Sequence, residues 1–197
     1  GPRPARAAKP VKWIALPTSA RAAMALWSAR ATGCASGFPE GFVVTRYYIG
    51  VDGGGTNCRI RLADENLVTL GEGRGGPSNL QIQNGEPAYR SILDGAKAAF
   101  AAAGLPDSAL ASTYGCFCMA GGRSVADREA FQRRPWPFAK VRAYDDIDAA
   151  HAGALGGEEG AVIIAGTGSA ALAIVDGQRH QCGGWGFHVG DQMSGAI

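Results

Sequence analysis

The sequence predicts an α/β fold, and three observations lead to that prediction. First, strand and helix patterns follow one another from residue 47 in the order βββ-α-β-α-β-α, after which a new strand pattern begins. Second, apolar strand patterns run into glycine-rich turns, and many of the 30 glycines of the chain lie in short runs. Third, 46% hydrophobic residues in a chain of 197 are enough for one buried core of ordinary size.

The three opening strands are predicted to form two antiparallel hairpins. Residues 48–52 are an apolar run typical of a buried strand, and residues 58–62 alternate polar and apolar side chains, as a half-exposed strand does. Residues 67–73 give the third strand. The loop at residues 75–79, Gly-Gly-Pro-Ser-Asn, has the residue types of turns.

Helices and strands then alternate along the chain. A long amphipathic helix is predicted over residues 86–103 and is closed by Gly104 and Pro106. Shorter helices are predicted at 125–133 and 147–155. The later strands are predicted at 114–120, 141–144, 161–165, 170–175 and 178–181, and an Asp-Gly turn joins the last two.

Residues 1–46 differ in composition from the rest of the chain. They are rich in Ala, Arg and Pro and show no sustained periodicity. Arg21 and Arg30 interrupt the only apolar stretch, which argues against a signal peptide. We expect this segment to be disordered in the native protein, or to be a leader that is not native to it.

Composition and charge exclude several classes of function. A net charge of +2 with 18% charged residues gives no electrostatic footprint for a nucleic-acid partner. No apolar run approaches the ~20 residues that span a bilayer, so we expect no membrane partner. Without residues 1–46 the chain is mildly acidic, as expected for a cytoplasmic enzyme.

The five cysteines show no repeated spacing, so the sequence predicts neither a disulfide framework nor a zinc site. Cys116 and Cys118 put two thiols on one face of a predicted strand. We interpret them as small buried core residues, with metal binding or redox chemistry as the alternative.

The first chemical motif is Gly-Val-Asp-Gly-Gly-Gly-Thr at residues 50–56. Asp52 closes a strand and would hold Mg²⁺, usually through water, because that ion retains much of its hydration. The glycines let backbone N–H groups approach an anion, and Thr56 adds a hydroxyl donor. The motif is neither a P-loop nor a Rossmann turn, since a strand follows it instead of a helix. A glycine-rich hairpin with a capping Asp is the alternative.

A second glycine turn, Gly-Thr-Gly-Ser at residues 166–169, follows the most apolar strand pattern, which predicts a buried strand. Two such turns in one chain favour two loops that grip a polyphosphate from opposite sides. An ordinary hairpin is the alternative.

The third motif is the acidic pair Asp145 and Asp146, between a predicted strand and a predicted helix. Ligands of α/β proteins gather at that edge of the sheet, and phosphoryl transfer to an alcohol needs a group that takes the hydroxyl proton. Capping of the helix is the alternative role for an Asp at this position. We assign the base to Asp146 and a capping or supporting role to Asp145.

The fourth motif, at residues 183–195, places glycines around aromatic residues. It predicts either a sugar-facing loop, in which Asp191 accepts hydrogen bonds from hydroxyl groups, or a structural turn.

In this order, the four motifs resemble the N-acetylglucosamine kinase and BadF/BadG/BcrA/BcrD-type ATPase family of the actin-like ATPase and sugar kinase superfamily. The resemblance implies a ribonuclease H-like domain with a mixed five-stranded sheet and helices at residues 47–157. It implies the opening strands of a second, similar domain at residues 158–197. The implied function is ATP-dependent phosphorylation of a small amino sugar, glucosamine or N-acetylglucosamine, with Mg²⁺.

The resemblance also implies roles for single residues. Asp52 is the metal-associated carboxylate, and Asp146 takes the position of the catalytic base. Asn79 and Asp191 are the implied sugar ligands, and Asp146 and Thr167 also lie close to the sugar. The residues implied to bind phosphate are Gly54, Gly55, Thr56, Gly166, Thr167 and Gly168.

Three departures from the family pattern bear on these roles. Asn57 and Cys58 stand where the family usually has Lys or Ser, so a cationic phosphate contact is missing there. Asp145 replaces a usual Asn, and its like charge is expected to raise the pKa of the neighbouring base. Gln192 and Met193 replace Glu and Gly, which affects the expected sugar specificity.

The second predicted domain is short, since residues 158–197 supply only its opening hairpins. Unpaired apolar strands favour association, for which a homodimer is the hypothesis. Two alternative functions stay open at this point: an ATPase that activates a radical dehydratase, and a catalytically inactive fragment.

Overall fold

Residues 46–165 and 169–184 are described by this computed structural model, and within them the chain forms eight strands and three α-helices. The strands are β1 Tyr47–Gly53, β2 Cys58–Ala63, β3 Thr69–Gly75, β4 Thr113–Met119, β5 Lys140–Asp145, β6 Gly160–Ala165, β7 Ser169–Val175 and β8 Gln178–Gly183. The helices are α1 Glu86–Ala102, α2 Val125–Gln132 and α3 Asp146–Leu155, and 3-10 turns lie at Ile82–Gly85 and Asp107–Ser112. The expectation for the leader segment lies outside the described residues.

Strands β1 to β5 form one mixed sheet in the order β3-β2-β1-β4-β5. β2 pairs antiparallel with both β1 and β3, which confirms the two predicted hairpins. β4 pairs in parallel with both β1 and β5, because a crossover that contains a helix precedes β4 and β5. The predicted five-stranded mixed sheet is therefore confirmed.

The two faces of this sheet pack against different helices. Alternate residues of β1, such as Ile49 and Val51, lie in the larger apolar core together with Phe100 of α1. On the other face, Cys116 and Cys118 of β4 pack with alanines of α3. Both thiols are almost fully buried, so the interpretation of these cysteines as core residues is confirmed.

Helix α1 lies unusually close to the edge strand β3, because glycines face each other across the contact. A Cβ added at Gly73 would lie 1.9 Å from the carbonyl oxygen of Gly95, and one at Gly71 would lie 2.2 Å from that of Ala99. Real Cβ atoms do not approach backbone oxygen so closely. The alternate glycines of β3 thus set the distance between sheet and helix.

The third strand begins two residues later than its pattern predicts, at Thr69 instead of residue 67. Asp64 is the cause, since its Oδ1 accepts hydrogen bonds from the N–H groups of Asn66 at 2.9 Å and Val68 at 2.8 Å. Leu67 adopts a φ of 61° inside this turn. A side-chain-stabilised turn therefore takes up the apolar residues that looked like the start of the strand.

Strands β6, β7 and β8 form a second, antiparallel sheet in that order, as the predicted hairpin requires. The prediction that β6 is buried is wrong: its residues alternate between half-buried and exposed, and Ile163 is 67% exposed. Helix α3 packs on one face of β6, where the Nε2–H of His151 donates to the carbonyl of Gly160 at 3.1 Å. Ile163 points to the other face, and its exposure follows from that.

Among the helices that the structure describes, none has both the length and the apolar character needed to cross a bilayer.

Candidate active site at the carboxyl edge of the first sheet

The parallel strands of the first sheet end at one level. The register pairs Gly53 of β1 with Met119 of β4, and Met119 with Asp145 of β5. Asp52 therefore lies one residue before the end of β1, and Asp146 begins α3 directly after the end of β5. The two carboxylates share the edge at which α/β sheets bind ligands.

The first glycine turn is tight at its base and open at its tip. The N–H of Gly54 donates to the carbonyl of Asn57 at 2.9 Å and so closes the turn. A Cβ at Gly53 would lie 2.7 Å from the sulfur of Met119, so a larger residue there would require the Met119 side chain to move. Gly55 and Thr56 are exposed at the tip, and no described atom lies within 4 Å of the place that a Cβ of Gly55 would take. Because the Gly54 N–H is used inside the turn, the tip residues are the ones placed to meet an anion.

The loop that carries Asn79 is bonded to the glycine turn. Ser78 is fully buried, and its N–H and hydroxyl both donate to the carbonyl of Gly54, at 2.9 and 3.1 Å. The Oδ1 of the half-buried Asn79 accepts a hydrogen bond from the N–H of Gln81 at 2.9 Å. This Asx turn fixes the side chain and leaves its Nδ2 as the donor it can offer to a ligand. The structure thus brings Asn79 beside the glycine turn, although 25 positions separate it from Gly54 in sequence.

Asp145 caps helix α3, as the sequence predicts for one member of the acidic pair. Its Oδ1 accepts a hydrogen bond from the N–H of Asp146 at 3.2 Å, and the Oδ2 of Asp148 accepts one from the N–H of Asp145 at 3.2 Å. Together these contacts form a capping box, with Asp in place of the usual Glu at the third helical position. Asp145 is 4% exposed, so the residue that caps the helix is buried.

Asp146 lies in an environment that raises the pKa of its carboxyl group toward neutral pH. The residue as a whole is exposed, but its carboxyl group is partly withdrawn from water, and this burial raises the pKa of Asp146 from 3.8 to about 7. The negative charge of Asp145 and a hydrogen bond with it raise the pKa further, and the charge of Asp52 adds to the effect. The expected effect of Asp145 is confirmed, although burial is the larger cause. Asp52 is therefore close enough to Asp146 for its charge to act on that carboxyl group.

Strand β8 of the second sheet contacts the start of α3, and sequence reasoning missed this. The Nε of Arg179 lies 2.9 Å from the Oδ1 of Asp148, and the Nε2 of Gln181 donates to the Oδ2 of Asp145 at 3.0 Å. Arg179 and Asp148 are 31 positions apart, and no local pattern signals such a pair. The capping-box spacing at 145 and 148 was the one signal present in the sequence.

A second contact joins the two sheets at this edge. Arg123, in the turn after β4, donates a hydrogen bond to the carbonyl of Gly183 at the end of β8. The N–H of Gly184 in turn donates to the carbonyl of Ser169 at 2.8 Å. Ser169 pairs with Ala165, and these two residues flank the second glycine turn. Both flanks of that turn therefore belong to a sheet that contacts the carboxyl edge of the first.

Four of the predicted site residues, Gly166, Thr167, Gly168 and Asp191, lie outside the described residues. The structure brings the other predicted positions, Asp52, Gly54, Gly55, Thr56, Asn79 and Asp146, to the same edge of one sheet.

Asp52 is the predicted Mg²⁺ ligand, and a carboxylate at this edge is chemically suited to that ion. It is a half-buried carboxylate beside the open tip of the glycine turn. The described residues contain no group of three or more His, Cys, Asp or Glu side chains arranged around one metal position. That donor set suits Mg²⁺, which binds through one or two carboxylates, water and substrate phosphates and does not require a cage of protein ligands.

Known proteins are similar in sequence to the part of this chain that carries the candidate site. The chain is 36% identical over 151 residues to the glucosamine kinase of Vibrio cholerae serotype O1, covering 77% of this chain and 51% of that protein. It is 28% identical over 154 residues to the N-acetylmuramic acid/N-acetylglucosamine kinase of Clostridium acetobutylicum, covering 76% and 50%. The chain thus spans about half the length of the curated relatives it matches.

Solved structures share the fold. The crystal structure of a Chromobacterium violaceum protein designated an N-acetylglucosamine kinase superposes with a TM-score of 0.71 at 35% identity, over 77% of this chain and 53% of that one. A Porphyromonas gingivalis protein of the same designation gives a TM-score of 0.58 at 22% identity, over 77% and 52%. These likenesses confirm the predicted α/β fold of the actin-like ATPase and sugar kinase type.

The strongest link is to a family. Residues 49–196 match the model of one protein family. This stretch runs from β1 through both sheets and includes every predicted site residue. With this match and a 36% identical relative, the chain belongs to the BadF/BadG/BcrA/BcrD ATPase family.

Proposed function

We propose that this chain carries the phosphate-binding turn and the catalytic base of an ATP-dependent amino sugar kinase. The reaction transfers the γ-phosphoryl group of ATP to a hydroxyl group of glucosamine or N-acetylglucosamine. One observation carries the proposal: Asp52, the glycine turn, Asn79 and Asp146 lie together at the carboxyl edge of one sheet.

The glycine turn is assigned to the phosphates of ATP. Gly55 and Thr56 are exposed at its tip, and exposed backbone N–H groups with a hydroxyl donor bind phosphate oxygens well. Mg²⁺ bound through Asp52 would neutralise charge that develops on the phosphoryl oxygens during transfer. The second turn, Gly166, Thr167 and Gly168, is assigned to the same polyphosphate, because its flanking residues belong to a sheet that contacts this edge.

Asp146 is assigned the role of general base. Its pKa of about 7 leaves a large fraction ionised at neutral pH while keeping the carboxylate basic enough to accept a hydroxyl proton. Its place at the first turn of α3 keeps the side chain at the edge, while the neighbouring Asp145 points inward as the cap. The proton of the attacking sugar hydroxyl passes to this carboxylate as the new bond from the sugar oxygen to the γ-phosphorus forms, while the bond from that phosphorus to the bridging oxygen breaks and ADP leaves.

The amino sugar is proposed from the relatives and from the polar residues at the edge. Two curated relatives are named as kinases of glucosamine and of N-acetylmuramic acid or N-acetylglucosamine. Asn79 offers an oriented amide beside the phosphate turn, as a hydroxyl-binding residue should. Asp191 and Thr167 are assigned as further sugar contacts, as the family resemblance implies.

The test is a coupled assay of ADP release with Mg²⁺ and ATP, on the protein expressed from its complete gene. We expect turnover with glucosamine or N-acetylglucosamine and little turnover with glucose or without a sugar. Asp146→Asn should lower the sugar-dependent rate about 10²- to 10⁴-fold. A rate of ATP hydrolysis that does not change when hexosamines are added would contradict the proposal.

The alternative of an ATPase that activates a radical dehydratase finds no support in the described part of the chain. Cys116 and Cys118 are buried in the contact between β4 and α3, and they face alanines. Within the described residues, they belong to no group of three or more His, Cys, Asp or Glu side chains that could hold a metal ion.

A further inference from the structure

We propose that Arg179 and Gln181 of β8 are positioning residues for Asp146, the catalytic base. They act through Asp145 and Asp148, the two side chains on either side of Asp146 at the start of α3. This inference rests on the proposed function, because it assumes that Asp146 is the base. Neither β8 residue is assigned a role by the family resemblance or by the kinase motifs.

The first contact fixes the cap of α3. Asp145 is almost fully buried, and its two oxygens bind in different directions. Its Oδ1 accepts from the helix N–H of Asp146, while its Oδ2 accepts from the Nε2 of Gln181 at 3.0 Å and lies 3.9 Å from the Nη2 of Arg179. The carboxylate that sets the first backbone N–H of the helix is therefore held from the second sheet.

The second contact fixes the other side of the capping box. The Oδ1 of Asp148 lies 2.9 Å from the Nε of Arg179, and its Oδ2 accepts from the backbone N–H of Asp145 at 3.2 Å. Asp148 is largely buried, with 13% of its side chain exposed, and the Arg179 side chain is 37% exposed. Partial burial makes this pair stronger than a fully exposed surface pair.

Asp146 lies between these two anchored residues. Its neighbours at positions 145 and 148 are each bonded both to the helix start and to β8, so the backbone that carries the base has little freedom to rotate. A misplacement of about 1 Å can lower a rate about a hundredfold, so the position of the base affects how well it accepts a proton. β8 belongs to the second sheet, so the orientation of the base depends on how the second sheet is docked.

Arg179 also brings a positive charge to a site that contains several carboxylates. The acidic groups that act on or beside Asp146 are Asp145 and Asp148 of the helix start and Asp52 of β1. The buried Cys118 of β4 lies beneath them, and the charges of Asp52 and Asp148 raise its pKa after the larger effects of Cys116 and burial. Removal of Arg179 would leave these carboxylates uncompensated on that side and make a negative charge on Asp146 less favourable.

The experiment compares Arg179→Met, Arg179→Lys and Gln181→Leu with Arg133→Met in the protein expressed from its complete gene. Arg133→Met is the matched control, because it removes an exposed arginine paired with Glu129 at 3.8 Å on α2, away from the base. We expect Arg179→Met to lower kcat about tenfold to a hundredfold with little change in the KM for ATP. The pH at which kcat is half-maximal should rise by about half a unit.

Two further variants separate the contributions of charge and geometry. Arg179→Lys keeps the cation and should restore the pH midpoint but only part of kcat, because lysine lacks the planar fork. Gln181→Leu should lower kcat without moving the pH midpoint as far. Should Arg179→Met not fold, the lysine and leucine variants decide the outcome, with circular dichroism as the check on folding.

Unchanged kcat and an unchanged pH midpoint in folded Arg179→Met and Gln181→Leu would overturn the inference. So would a change confined to KM, or an equal loss in Arg133→Met. Absence of hexosamine turnover in the wild type would instead contradict the proposed function. In that case, NMR titration of ¹³C-labelled Asp carboxyl groups still tests the contact: a midpoint for Asp146 that is the same in wild type and Arg179→Met would overturn it.

Discussion

Three carboxylates within four residues at the start of α3 have different environments because of where the helix places each of them. Asp145 precedes the helix and points inward as its cap, and Asp148 points back toward the same cap and toward Arg179. Asp146 lies between them at the edge of the sheet. Sequence alone could predict one cap and one base from the pair, since Asp is a favoured cap. It could not predict the extent of burial of Asp146, which depends on residues distant in sequence.

The first prediction concerns catalysis at Asp146. Because a positioned general base contributes about 10²- to 10⁴-fold, Asp146→Asn should lower kcat by that factor with a much smaller change in the KM for the sugar. In the wild type, kcat should rise with pH and level off above about 7, where the carboxylate is ionised. The measurement is a pH profile of the coupled assay. A wild-type profile that is flat between about pH 6 and 8, one unit either side of that pKa, would argue against Asp146 as the base.

The second prediction concerns stability at the same residue. The pKa of Asp146 is raised from 3.8 to about 7 in the folded chain, so the folded state binds more protons than the unfolded state between those values. The stability that protonation of Asp146 contributes is therefore present below about pH 4 and is lost as pH rises through about 7. Asp146→Asn should be more stable relative to the wild type at pH 8 than at pH 5, as measured by urea unfolding. Asp94→Asn, which removes a carboxylate from an exposed site on α1, is the control variant.

At the scale of elements, the sequence predicted which segments are strands and which are helices but not every boundary. The periodicity of β2 and α1 survives in the structure because each packs one face on a core. The start of β3 was misplaced because the Asp64 turn competes with the strand for the same residues. The burial of β6 was overestimated, since an apolar composition does not show how many faces of a strand are covered.

The third prediction compares two helix caps. Ser124 caps α2 by accepting from the N–H of Asp127 at 3.3 Å, and Ser124→Ala should cost about 0.5–2 kcal/mol without an effect on kcat. Asp145→Ala should cost more than that, because it also removes the partner of Gln181. Asp145→Ser keeps a capping oxygen but cannot reach both partners, so its cost should lie between the two. Chemical unfolding of the three variants tests the order, and an equal loss in all of them would show that the contact with β8 adds nothing.

The fourth prediction tests the close contact between β3 and α1. A Cβ at Gly73 would meet the backbone of Gly95, which cannot move without shifting the helix, so Gly73→Ala should destabilise the chain by about 1–3 kcal/mol or more. Glu72→Ala, on the opposite face of the same strand, removes a pair with Arg61 in which the Glu72 side chain is 62% exposed and should cost less than about 1 kcal/mol. Urea unfolding of both variants provides the comparison. An equal loss of unfolding free energy in the two variants would mean that β3 and α1 can move apart at little cost in stability.

At the scale of the whole molecule, the two sheets differ in how much apolar surface they bury. The first sheet has helices on both faces and a core that includes Phe100, Phe117 and Ile60. Among the described residues of the second sheet, Leu172 is the one hydrophobic residue that is buried. The sequence predicted a first domain at residues 47–157 and the start of a second at 158–197, and we propose that this boundary is also a boundary of stability.

The fifth prediction follows from that difference. Local opening requires little free energy where few apolar contacts are lost, so amides of β7 and β8 should exchange with solvent faster than those of β1 and β4 in the 197-residue chain. The outward side chains Ile163 and Val175, 67% and 50% exposed, make no comparable core. Hydrogen exchange followed by mass spectrometry measures the opening of each strand, with α1 as the internal reference for the first unit. Arg179→Met should speed exchange in β8 further, because it removes the ion pair that joins this strand to α3. Equal protection of β4 and β7 would show that the second sheet is as stable as the first, and that its docking cannot vary independently of the site that holds Asp146.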